Sequence, residues 1–191
     1  MSGFPKVAVA YNPALEYNDL LGWTFDPSAA QPLGSNMNSA YITLCRIPLP
    51  VPLTITNVLI YVLSLGVTLT HSYVALFTSA GTIVGQSTDQ STAWKTGGAT
   101  GLYTLPLVGG PYTCTPLAAN DFVWAAAYVG TLAASPQILS DQSGSTLLGS
   151  VGTSGRRWRY ARIALANTPT LTSFSPAGIS GSGNAYWMGI S

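Results

Sequence analysis

From Ala40 onward the chain alternates short apolar runs with breaks rich in Gly, Pro and Ser, at the spacing of strands rather than helices. Tyr41–Ile47 is the first predicted strand, and Pro48, Pro50 and Pro52 then force an edge or a corner. Thr54–Leu63 is the second, dense in β-branched residues. Ser72–Thr78 and Thr82–Ser87 flank Ser79-Ala80-Gly81, the clearest hairpin signal in the chain, with Gly81 free to take a positive φ. Strands follow at Leu102–Val108, Asp121–Val129, Trp158–Leu165 and Ala185–Ile190, while residues 130–155 and 168–183 read as loops. About eight strands and no sustained helical pattern predict an all-β fold. The expected form is an antiparallel β-sandwich of jelly-roll-like character covering residues 37–191.

Residues 1–36 have a different texture. Lys6, Glu16, Asp19 and Asp26 fall here, four of the chain's thirteen charges, together with Pro5, Pro13, Pro27 and Pro32. Prolines at that density exclude a long helix or strand. We read an extended N-terminal arm anchored by Phe4, Tyr11, Tyr17, Trp23 and Phe25. Such an arm packs on its own domain or on a neighbouring subunit.

Composition narrows the function classes. Charged residues make up 7% of the 191, against roughly a quarter in an average soluble domain. Ser (20), Thr (21) and Gly (20) supply the polar surface instead. A net charge of +1 argues against nucleic-acid binding, which needs many cations. Apolar content of 47% argues against disorder, and the shortage of Glu, Lys and Arg against a coiled coil. Ile47–Thr88 carries no Asp, Glu, Lys or Arg, yet Thr, Ser, Gly and Pro interrupt it too often for a membrane-spanning helix. Met1–Ala10 lacks the long apolar core of a signal peptide. Near-zero net charge suits a protein held within an assembly.

Candidate chemistry is sparse. His71 is the only histidine and stands at a predicted loop-to-strand junction, without a Gly-x-Ser-x-Gly nucleophile motif. Asp89 and Asp121 are the acids that could face each other as a glycosidase pair, although each sits in a turn-like context. Cys45 and Cys114, 69 residues apart, form neither a zinc motif nor a disulfide framework and read as buried free thiols. No metal and no cofactor are expected. Two features point to binding. Arg156, Arg157, Arg159 and Arg162 place four of seven basic residues within seven positions. They suit an anion, an acidic sugar or an acidic neighbouring subunit, or else form a solvated edge that blocks unwanted strand pairing. Trp94, in a loop near Lys95 and Gly97-Gly98, is the kind of aromatic that stacks on sugars or anchors an interface. Trp124 and Tyr128 read as core, and Trp187 as core or interface.

Three segments together resemble a known family. They are Tyr41-Ile-Thr-Leu-Cys-Arg-Ile-Pro-Leu-Pro leading into Thr54-Ile-Thr-Asn-Val-Leu-Ile-Tyr-Val, then Leu69 to Ser87 followed by Trp94, and finally Asp121-Phe-Val-Trp-Ala-Ala with the closing Ala185-Tyr-Trp-Met. Over residues 37–191 the chain resembles β-domains in virion proteins of tailed actinobacterial phages, usually described as minor tail proteins. The resemblance implies a non-enzymatic structural role at a tail tip or fibre, in assembly and host-surface attachment. Its implied partners are other virion proteins, copies of the same chain and host cell-envelope glycan, with no nucleic acid and no membrane. A free-standing domain with an N-terminal arm also suits a capsid decoration or turret protein, and the loop aromatics suit a carbohydrate-binding module. The tail is the expected location ahead of the capsid surface. No functional residue carries over, because the shared positions are turn and core residues.

Overall fold

The computed structural model describes residues 19–25, 34–117, 121–130, 133–141, 160–164, 170–181 and 185–191. Among these residues fifteen strands run in chain order: β1 (Gly22–Trp23), β2 (Gly34–Asn36), β3 (Tyr41–Pro48), β4 (Leu53–Ile55), β5 (Asn57–Ser64), β6 (Ser72–Thr78), β7 (Ile83–Gln86) and β8 (Gly101–Pro106), then β9 (Tyr112–Cys114), β10 (Phe122–Val129), β11 (Gln137–Asp141), β12 (Tyr160–Ala164), β13 (Ser180–Gly181), β14 (Ala185–Tyr186) and β15 (Met188–Ile190). The described residues include one 3₁₀ turn, Pro176–Gly178, and no helix long and apolar enough to cross a membrane. The fold is all-β and its ladders are antiparallel, as the strand pattern predicts.

Two sheets face each other. The six-stranded sheet has the order β13-β12-β3-β10-β6-β7. In the seven-stranded sheet, β5 is the centre and β8 lies along one side of it. The other side of β5 is shared end to end by β15 and β11, flanked in turn by β1 and β2, while β14 pairs with the far end of β11. Apart from the hairpin strand β7, the long strands alternate between the two sheets along the chain. That crossing between layers is the jelly-roll-like feature.

The hydrophobic pattern explains the layers. Cys45, Ile47, Val74, Leu76, Val123 and Ala125 point inward and meet Val58, Ile60 and Val62 of the opposite sheet in the main core. Each fully buried aliphatic side chain of this kind contributes about 1.5–3 kcal/mol. The alternate residues, among them Leu44, Tyr73, Phe77, Trp124 and Tyr128, form a second cluster on the outer face, joined by Leu171 and Phe174. The six-stranded sheet is thus buried on both faces. Phe122–Val129 accordingly reads as continuous hydrophobicity rather than alternation.

Three expectations need correction. Thr54–Leu63 is not one strand: the chain turns the proline corner through β4 and breaks at Thr56, whose N–H donates to Ser191 O. Residues 130–155 are not all loop, because β11 sits there, beside β5. Its inward position is partly a serine: Ser140 is fully buried and its hydroxyl bonds that of Ser35, so the segment lacks a β-branched signature. Residues 168–183 are not all loop either, because β13 pairs there with β12; Tyr112–Cys114, for which the pattern predicts nothing, pairs with β4. Within 1–36, Gly22–Trp23 pairs with β15, Phe25 is buried in the main core, and Gly34–Asn36 pairs with β11. Phe4, Tyr11 and Tyr17 lie outside the described residues.

Candidate functional site

At one end of β6, polar side chains converge. His71 immediately precedes β6, and Asp89 follows β7 by way of Ser87 and Thr88. Asp89 Oδ1 accepts the backbone N–H of Ser72 at 3.0 Å and of Ser91 at 2.8 Å. Its Oδ2 lies 3.4 Å from His71 Nδ1, and the Tyr73 hydroxyl donates to the same carboxylate. Burial, then the charge and hydrogen bond of Asp89, push the Tyr73 phenol above its ordinary pKa. His71 and Tyr73, two residues apart on one strand face, hold their rings nearly parallel at 6.4 Å. Ser87 Oγ accepts the Val74 N–H and donates to Thr88 O, which fixes the strand exit. Gln86 Oε1 accepts the Leu171 N–H.

These groups border an open groove of about 580 Å³, walled by Tyr73, Val84, Gln86, Thr88, Asp89 and Leu171. That volume falls within the usual range for small-ligand sites. A carboxylate, an amide and a hydroxyl beside an aromatic edge can hydrogen-bond a polyol. The His71–Asp89 contact has the composition of an oriented base. At 3.4 Å it is long for a hydrogen bond, and the carboxylate is already committed to two backbone N–H groups and a phenol. Asp89 therefore acts first as the tether that ties residues 87–91 to β6.

Asp121 lies at the opposite end. It adjoins Phe122, and the ladder sets Val123 against Thr78 and Val129 against Ser72. Six residue steps at about 3.3 Å each separate the two acids by roughly 20 Å along β6. Paired carboxylates of a glycosidase sit within about 10 Å, so Asp89 and Asp121 do not form such a pair. Asp121 instead accepts the N–H groups of Leu117 and Phe122, both at 2.8 Å. Burial alone would raise its pKa, but the Ser79 hydroxyl, those two N–H groups and the charge of Arg46 outweigh it and hold the carboxyl below its ordinary range.

The binding candidates separate. Trp94 is fully buried in the main core, edge-on to Tyr103 with centroids 6.4 Å apart. A ring in that position cannot stack on a sugar or reach a neighbour, which corrects its reading as an exposed loop aromatic. The loop folds inward because Trp94 N–H donates to Gln90 O while Trp94 O accepts from Gly66 N–H. Arg162, exposed on β12, places its guanidinium 4.5 Å from the centroid of the Tyr41 ring. Arg156, Arg157 and Arg159 lie outside the described residues. Trp23 is half-buried beside the C-terminal strands, and Trp187 belongs to the core. Cys45 and Cys114 are both free and buried. Among the described residues no group of three or more His, Cys, Asp or Glu side chains could hold a metal ion.

The sequence reading passed over Tyr73, Gln86 and Arg46. Arg46 stacks its guanidinium 3.7 Å from the centroid of Phe122, which packs edge-on against Trp124. A signal for the polar corner was present in Asp89-Gln90-Ser91, where an Asp two residues before an N–H donor is an Asx-turn pattern. A second, apolar groove of about 230 Å³ crosses the outer face of the seven-stranded sheet between Leu20, Trp23, Tyr61, Leu102 and Trp187. No protein-family model matches the chain, and comparison with curated proteins yields no significant match.

Proposed function

We propose that this chain is a non-enzymatic structural protein of a tailed-phage virion, a minor tail component at the tail tip or fibre that serves assembly and host-surface attachment. One observation supports this reading above others. The segments that carry the resemblance to minor tail proteins are the framework of the sandwich: β3, β5, the β6–β7 hairpin, β10 and the closing β14–β15. The residues that would carry a two-carboxylate hydrolysis stand at opposite ends of a strand. The hydroxyl-rich, nearly uncharged composition suits packing inside a particle.

Antibody-gold labelling of intact particles tests the reading. Gold at the tail tip is the expected result. Gold over the head would replace it with the capsid-decoration alternative, and its absence from purified particles would overturn both. The polar groove at Tyr73, Gln86 and Asp89 favours a second role, recognition of host cell-envelope glycan. Binding of the purified protein to whole host cells or a glycan array, lost in Gln86→Ala, is the outcome that role requires.

A further inference from the structure

We infer that β8 is an interface strand that pairs antiparallel with β8 of a second copy of the chain. The edge geometry alone carries this pairing, whatever particle the protein belongs to.

An unpaired strand edge is a template for another strand, and proteins usually block such edges. Here the described edges are blocked or short, with one exception. β7 is covered: Ile83 N–H donates to Ser173 Oγ, Val108 N–H to Gln86 O, and Phe174 N–H to Gly81 O. β1 and β13 are two residues long and β2 is three. β8 runs for six residues, and among the described residues it pairs with β5 alone. Among the described residues none of the usual guards is present. No charged residue occurs between Lys95 and Asp121, and proline enters only at the last position, Pro106.

The register identifies which backbone groups are free. Leu107 N–H donates to Thr56 O, and the β5–β8 ladder continues that alignment through Leu105 opposite Val58 and Tyr103 opposite Ile60. Antiparallel strands point alternate residues' N–H and C=O groups to opposite sides. Residues 101, 103 and 105 therefore bond to β5, and Leu102 and Thr104 present theirs outward. These two residues lie symmetrically about Tyr103. An antiparallel copy with Tyr103 opposite its equivalent sets Leu102 against Thr104 twice and makes four backbone hydrogen bonds around a two-fold axis. This is the self-complementarity an isologous dimer needs.

The side chains agree. Residues 102 and 104 share the outer face in both copies, so pairing keeps outer face with outer face. Leu102 is 55% exposed and sits opposite the 37% exposed Tyr61, at the edge of the apolar groove. A second copy would extend this apolar strip across the axis with no charge to repel it. The edge is also rigid: Tyr103 packs on Trp94 and its hydroxyl donates to Ala99 O at 2.6 Å. Little ordering entropy is then lost on pairing.

Sedimentation equilibrium of the full chain over a concentration series tests the interface. The wild type should show a monomer–dimer equilibrium. Thr104→Pro removes an outward N–H, and Leu102→Lys places a cation on each side of the axis. Each should weaken the dimer at least about tenfold without changing the circular dichroism spectrum. Leu117→Lys, at an 82% exposed position away from β8, should leave it intact. Should Thr104→Pro not fold, Leu102→Lys decides alone. In the wild type, the Leu102 and Thr104 amides should gain hydrogen-exchange protection as concentration rises. A chain that stays monomeric, or a dimer indifferent to both edge variants, overturns the assignment.

Discussion

Gly81 and Phe174 close on each other backbone to backbone: the Phe174 N–H donates to Gly81 O at 2.9 Å, and a Cβ on Gly81 would collide with the Phe174 carbonyl oxygen. Gly81 also holds φ at +83° in the β6–β7 turn. Gly81→Ala should therefore combine left-handed strain with displacement of the segment that covers the outer face, at a cost of about 2–4 kcal/mol. Urea unfolding of the variant measures it. A loss within a few tenths of a kcal/mol would mean that residues 170–174 are not held by this turn.

Both thiols should be inert in the native state. Burial pushes the Cys45 thiol up to about 12, against a smaller opposing hydrogen bond involving the Tyr186 backbone, and burial also raises Cys114. The thiolate is the reactive form. At pH 8 a thiol-specific dye should label neither cysteine until denaturant is added, and should then label two per chain. A raised folded-state pKa adds stability below the unfolded value near 9, and that stability is lost as pH climbs from there toward 12.

Asp121 makes the opposite contribution. Its folded-state pKa is lowered, so its stabilisation is complete above the unfolded value near 3.9 and fades as pH falls through the lower folded value. Asp121→Asn should cost about 1–2 kcal/mol at pH 7, where the charge-assisted bonds are lost. The gap between variant and wild type should narrow below about pH 4. Unfolding curves at pH 7 and pH 3 supply the comparison, and a gap independent of pH would remove Asp121 from the acid limb.

Trp94→Ala should destabilise the fold by about 3–5 kcal/mol, as expected of a large buried aromatic. That would be a large share of the 5–15 kcal/mol typical of a domain. Trp94→Phe should recover part of the loss and leave any cell-surface binding untouched. Thermal melts of the two variants, read beside a whole-cell binding assay, separate the core role from a ligand role.

Strand identity was largely legible because β3, β6, β7 and β10 carry β-branched or aromatic density and are bounded by Pro or Gly. The hairpin turn was legible for a local reason: Ser79-Ala80-Gly81 supplies the positive φ between two apolar runs. β11 escaped because Ser140 fills an inward position and its hydroxyl bonds that of Ser35, far away in sequence. Trp94 was misjudged for a similar reason. Its neighbours Lys95 and Gly97-Gly98 describe a loop, but the direction of that loop is set by bonds to Gly66 and Gln90. The polar corner likewise depends on Tyr73, Asp89 and Gln86 meeting across two strands and a turn, which composition does not encode.

The pairing of β1 with β15 also sets a timetable. Thr24 Oγ1 donates to Tyr186 O across 162 residues of sequence. At a synthesis rate of roughly 5–20 residues per second, residues 22–24 wait on the order of ten to thirty seconds for their partners to be made. During that interval Val58 and Ile60 already belong to a formed segment of chain, while Ile190 and Met188, which close that edge, do not yet exist. The seven-stranded sheet is therefore completed only once β15 has been made.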